Sequence, residues 1–267
     1  MNNIYKCFPE GKHKVLTLSY DDGRGADRRL VDIFNKNGIK GTFHINSGLF
    51  ERDPDRVKPE EVKELYKGHE VATHTVTHPT IERCPMNLVV QQVIEDRDNL
   101  EKLVGYTVRG LSYPNGSYSN EIKAMLPHVG IEYSRVVGST KNFGMPKDLY
   151  QWQATCHHKT DLMKLATEFV GLHKRQYLYM MYVWGHSYEF DNDNNWELIE
   201  GFCEFVGKKE DVWYATNIEI VDYMKALDAL QFSAKGNFVY NPSVASLWLE
   251  VDGKIVEVEG GTQVQLF

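Results

Sequence analysis

The chain has 267 residues, 42% hydrophobic and 25% charged, with a formal net charge of −7. That is enough for one barrel-sized core, and the acidic balance, with no block of lysines or arginines, argues against nucleic acid or an anionic membrane as partner. The opening MNNIYKCFPEGKHK has no apolar leader and no later run approaches the ~18 apolar residues of a bilayer span, so a cytoplasmic location is expected. Cys7, Cys84, Cys156 and Cys203 are far apart with no C-x-x-C pair, the pattern of reduced and mostly buried thiols.

In chain order, VLTLSY reads as a first strand and ADRRLVDIFNKNGIK as a helix ending near Gly38. GTFHIN is a second strand, PEEVKELYKG a helix with Pro59 at its start, and HEVAT a third strand. From Asn87 to Val104, Val89, Val93, Leu100, Leu103 and Val104 fall near one face of what should be the longest helix. RGLSY, IEYSR, QWQAT, YLYMMYVW and VWYAT read as further strands, with helices around 119–126, 162–173, 196–206 and 217–229. Six to eight strand–helix units predict an α/β fold, a closed or nearly closed (β/α) barrel with catalytic groups just past the C-terminal strand ends. After Leu230, ASLWLEVDGKIVEVEGG alternates apolar and polar residues around Asp252-Gly253, a hairpin signal. The expected division is therefore residues 1–230 as the catalytic domain and 231–267 as a small C-terminal β appendage, covering an open barrel edge.

Two clusters carry chemistry. SYDDGRG places Asp21 and Asp22 side by side after the first strand, where adjacent residues point in different directions and take different roles: one metal ligand, one free base. THTVTH places His74 and His78 at i and i+4, on one face if the segment coils into a helical turn. Together they offer a two-histidine, one-carboxylate set with open positions, the arrangement of a catalytic zinc or similar divalent ion.

The ordered series LTLSYDDG, GTFHIN, GHEVATHTVTHP, RGLSYPNGSYS and WGHSYEF, spanning about residues 12–225, resembles the NodB-type polysaccharide deacetylase superfamily. The resemblance implies a distorted barrel of about seven strands, Asp21 as catalytic base, and Asp22, His74 and His78 as ligands of one divalent metal ion. Zinc is the expected ion, with cobalt, nickel, manganese and iron open to the same donors. It further implies Arg109 as the residue holding the base, Tyr113 and Pro114 at the groove wall with a backbone amide near Tyr113 as oxyanion donor, and His186 as the acid. Trp184 is a candidate sugar-stacking residue. The chain departs from the pattern at Ser19-Tyr20 and at His44, which stands at a normally apolar strand position. It also lacks the D-x-x-D-W element that orients the acid histidine. Asp148, Asp161 and Glu189 are candidate substitutes, His157 and His158 are candidate wall residues, and His69 reads as structural. The implied activity is hydrolysis of acetyl groups from an N-acetylated, or O-acetylated, sugar or oligosaccharide. Hydrolysis of small amides or cyclic imides is the alternative within the superfamily, and a non-catalytic carbohydrate-binding protein the alternative outside it.

Overall fold

The structure, a computed structural model, describes residues 2–267. In chain order it begins with β1 (Ile4–Cys7), β2 (Lys14–Asp21), α1 (Asp27–Asn37), β3 (Gly41–Ile45), α2 (Pro59–Leu65), β4 (Glu70–Thr73), α3 (Met86–Val104) and β5 (Gly110–Ser112). It continues with α4 (Asn120–Met125), β6 (Tyr133–Ser139), β7 (Trp152–Ala154), β8 (Cys156–His157), α5 (Leu162–Val170), β9 (Tyr179–Gly185), α6 (Tyr188–Asn192), α7 (Trp196–Val206), β10 (Val212–Tyr214) and α8 (Asn217–Asp228). The short strands β11 (Gln231–Phe232), β12 (Phe238–Tyr240), β13 (Leu247–Val251), β14 (Lys254–Val258) and β15 (Gln263–Gln265) complete the chain.

β2 is buried at all eight positions, which explains its nearly continuous apolar run: a parallel strand covered on both faces has no solvent side to mark with polar residues. The sheet runs β7-β6-β5-β4-β3-β2-β9-β8, every pair parallel. Its two ends, β7 and β8, are separated by Thr155 alone, whose amide donates to the Tyr182 carbonyl. One extended stretch therefore starts against β6 and finishes against β9, closing seven strand positions into a distorted barrel. β10 pairs with the first half of β2, and β3 with its second half.

α3 is the longest helix, and its buried stripe is Val89, Val93, Asp96, Leu100 and Val104. The sequence reading included the four apolar members; Asp96 is a carboxylate on the inward face, and its use appears below. Among the described residues no helix is long and apolar enough to cross a membrane, and the four cysteines are free.

The hairpin at Asp252-Gly253 is present between β13 and β14, both turn residues having positive φ (48° and 82°), as a two-residue hairpin turn that follows the strand twist requires. The boundary at residue 230 describes chain order and not packing. β1 pairs with β13, joining the N-terminal strand to the C-terminal segment, while β11, β12 and β15 form a second small sheet. Leu247, Leu249, Val251 and Val258 share one buried cluster with Val15, Met180 and Tyr182 of the barrel and Ile220, Val221 and Leu227 of α8. The appendage thus extends the barrel's own core.

Candidate active site

The chemistry-bearing residues converge where the strands end. Asp21 closes β2 and Asp22 follows it; His74 and His78 follow β4; Ser112 ends β5; Arg135 lies in β6; His157 ends β8; His186 follows β9. The His74–His78 segment is a loop, not the expected helical turn, with left-handed φ at Thr75 (67°) and His78 (57°); Asp22 is left-handed as well (81°). Non-glycine residues held there store strain that the surroundings must offset, a common mark of functional loops. The anchor is Asp96, fully buried, which accepts hydrogen bonds from the amides of Ser47 (2.7 Å) and His74 (3.1 Å) and from the Thr73 hydroxyl.

His74 Nε2 and His78 Nε2 each lie 3.8 Å from Asp22 Oδ1, and the three ligand atoms are all within 4.8 Å of one another. His74 Nδ1 lies 2.8 Å from the Ser112 carbonyl oxygen, which can only accept. Nδ1 therefore carries the ring hydrogen and the Nε2 lone pair faces Asp22 and His78. Burial pushes the His74 pKa down to about 4, so the ring is neutral, as a ligand must be. This donor set fits a divalent cation with positions left for water or substrate.

Asp21 is 3% exposed. Burial alone would raise its carboxyl pKa, but the buried Arg135 guanidinium on Oδ2, with His74 and His44, outweighs this and holds the carboxyl well below its ordinary range. The Ser112 hydroxyl donates to Oδ1 (3.1 Å). Arg135 is itself fully buried and stacks 4.3 Å over the Trp184 ring.

Arg109 does not hold Asp21. It precedes β5, at the opposite end of the strand from Ser112, and pairs with Asp222 (2.7 Å) and Glu132 (3.1 Å). Arg135, register partner of Ser112, takes that place. Tyr113 is 1% exposed, its amide already donates to the Arg135 carbonyl and its hydroxyl to the Tyr150 carbonyl, so neither serves a substrate; Pro114 is buried too. Trp184, 7% exposed, is a floor residue under Arg135, with His157 edge-on at 4.6 Å. His69 is structural: its Nδ1 accepts from the Gly41 amide (3.0 Å).

His186 has a carboxylate partner three residues on. Glu189 Oε2 lies 3.3 Å from His186 Nδ1 and accepts from the His186 amide (3.2 Å); Asp148 caps a one-turn helix and binds Lys123, and Asp161 binds Lys141. Burial would lower the His186 pKa, but Glu189, Asp21 and Asp22 together raise it. Glu189 also meets His157 Nε2 (3.1 Å), His158 Nε2 (3.4 Å) and Lys159 (3.2 Å). His157, His158 and Glu189 have the mutual distances of a ligand set, yet the hydrogen placement runs the other way: His157 Nδ1 accepts from the Lys159 amide (3.2 Å), so the ring hydrogen lies on Nε2, 3.1 Å from Glu189. His158 is stacked against Phe190 (4.3 Å) and Tyr20 (5.7 Å), and its ring occupies the space a Cβ at Gly185 would need. Glu189, with His157 and Lys159 on it, thus backs His186, while His158 packs behind with neither ring nitrogen hydrogen-bonded.

Comparison with known proteins agrees with the order of these elements. Residues 9–134 match the polysaccharide deacetylase family model. This segment resembles a polysaccharide deacetylase domain of the NodB type. A peptidoglycan-N-acetylmuramic acid deacetylase, PdaC, of Bacillus subtilis is 24% identical over 115 residues, 42% of this chain and 24% of that protein. A chitooligosaccharide deacetylase of Sinorhizobium fredii is 26% identical over 131 residues, 48% of this chain and 54% of that protein. The chain thus spans a quarter to about half the length of these relatives. The fold of a Mycobacterium smegmatis protein classed among the polysaccharide deacetylases superposes with a TM-score of 0.64 at 15% identity, covering 84% of this chain and 94% of the other.

Against that family pattern, motif spacing missed Arg135 and Asp96, while Glu189, one of three candidate carboxylates, is the one that meets His186. Each had a signal: an arginine inside the apolar run YSRVVG, a glutamate one turn after a histidine, and an aspartate on the apolar face of a helix. A charge at a buried position demands a partner.

Proposed function

We propose that this protein removes acetyl groups from an N-acetylated carbohydrate, with O-acetylated sugars the neighbouring class, using one divalent cation, zinc first among the candidates, held by Asp22, His74 and His78. Such an ion, when bound, polarises the acyl carbonyl and lowers the pKa of a water molecule towards neutrality. Asp21, kept ionised by Arg135, takes the proton of the attacking water on its carboxylate. His186, its pKa raised by the neighbouring carboxylates and its ring oriented by Glu189 through Nδ1, gives a proton from Nε2 to the departing amine or alkoxide. The pairing of Asp21 with Arg135 beside the ligand set carries this reading: a fully buried guanidinium makes a base of a carboxylate that burial would otherwise neutralise.

The test is acetate release from N-acetylglucosamine oligomers, peptidoglycan fragments, acetylated xylan and small amides by metal-defined protein beside Asp21→Asn. Acetate from one sugar class, lost in the variant, supports the proposal. Ammonia or acid from the small amides alone would move the chain to the amide-hydrolysing alternative.

A further inference from the structure

His44 stands on β3 directly beside Asp21 in the sheet register and is 0% exposed. Burial depresses its pKa, so the ring is neutral with one donor and one acceptor. Nε2 has no hydrogen-bond partner, and Nδ1 lies 3.3 Å from Asp21 Oδ1. The rest of the ring faces Tyr133, edge-on at 6.3 Å, and His74 at 6.5 Å. An imidazole at an inward strand position with an unsatisfied nitrogen is unfavourable where any apolar residue would pack. Such a local conflict is expected where a side chain serves the site.

We infer that His44 is a positioning residue for Asp21: its Nδ1–H donates to Oδ1 and so fixes which carboxylate oxygen receives the water's proton. A carboxylate offers about four lone-pair sites, two on each oxygen. On Oδ1 the Ser112 hydroxyl fills one and His44 the second. On Oδ2 Arg135 fills one, and the other stays open on the oxygen that lies 3.9 Å from His74 Nε2, beside the ligand set. With His44 in place, the carboxylate cannot turn its open site away from the water to be deprotonated. The inference rests on the proposed role of Asp21 as base.

The test compares wild type, His44→Asn, His44→Leu and Asp21→Asn for kcat and KM on N-acetylglucosamine pentamer, with metal content and thermal unfolding measured on each. Asn places an amide nitrogen where Nδ1 stood and keeps the donor; Leu fills the space without one. His44→Leu is expected to lower kcat roughly ten- to hundredfold at unchanged KM and metal content, the size of a lost hydrogen bond to a charged group. His44→Asn restores most of it, and a side chain serving packing alone would give the reverse order. Long-range 15N–1H correlation of the histidine rings, with His44 assigned through its Asn variant, reads the contact without turnover: Nδ1 protonated is the expected tautomer. The Nε2-protonated tautomer, or a His44→Leu kcat within twofold of wild type while Asp21→Asn is inactive, would overturn the inference. Acetate release that survives Asp21→Asn would instead remove the underlying reading of the base.

Discussion

Replacing Arg135 by Met tests the electrostatics of the site most sharply. The guanidinium is fully exposed to protein and not to water, with Asp21 as its charge partner, and the Asp21 carboxyl is 3% exposed. Removing one member of such a buried pair leaves the other unpaired and typically costs about 3–5 kcal/mol. For a domain of this size that is a fall in Tm of roughly 6–20 °C, at about 2–4 °C per kcal/mol. Removing both charges avoids that penalty, so Asp21→Asn/Arg135→Met should unfold within about 1 kcal/mol of wild type. Arg109 supplies the control. Its pair with Asp222 is half exposed, so Arg109→Met should cost about 1 kcal/mol or less and leave turnover intact. The assay is urea unfolding of wild type, Asp21→Asn, Arg135→Met and the double variant as a double-mutant cycle, with Arg109→Met beside them and acetate release in parallel. A cost below about 1 kcal/mol for Arg135→Met, or no recovery in the double variant, refutes the reasoning. So does equal damage from Arg109→Met.

Glu189→Gln should lower kcat with little change in KM. Because Glu189 helps raise the His186 pKa and His186 must be protonated to act, the alkaline limb of the kcat profile should move to lower pH; an unmoved limb contradicts the assignment. His78→Ala removes the most exposed ligand and should weaken zinc binding at least about tenfold at unchanged secondary structure, measured by dialysis against buffered metal. Asp27, buried against the Tyr66 (2.6 Å) and Ser187 hydroxyls, has its pKa pushed up to about 7 by burial. Its folded value exceeds its unfolded value, so the stability it contributes is present below pH ~4 and lost as pH rises through 7. Asp27→Asn, whose amide oxygen accepts from one hydroxyl while its amide nitrogen donates to the other, should therefore gain on wild type by roughly 3 kcal/mol between pH 5 and pH 8 in urea unfolding. A flat difference would show the carboxyl is ionised throughout.

The barrel strands were legible because parallel, two-side-covered strands leave apolar runs, and β2, β3 and β9 are such runs. A closed or nearly closed barrel was expected, but the way it closes was not legible, because Trp152–His157 divides its pairing between β6 and β9, and local pattern carries no information on which edge a residue serves. The turn at Asp252-Gly253 was legible from its two residues; the pairing of Ile4 with Val251 joins chain ends no periodicity connects. At the site, Asp21 ends a strand and Asp22, His74, His78 and His186 follow strand ends, where position in sequence and position in space coincide. Arg109 and Arg135 are separated by the feature that spacing ignores. One lies just before a strand, at the wrong end of the barrel; the other lies inside a strand, paired in register with Ser112.

The most direct measurement is the stoichiometry of activation. Metal-free protein is titrated with zinc while acetate release from N-acetylglucosamine pentamer and bound metal are followed together, beside Asp21→Asn. The account predicts activity rising in step with metal to one ion per chain, and a variant that binds the same single ion and stays silent. Activity without metal, saturation at two ions, or an active Asp21→Asn would contradict it.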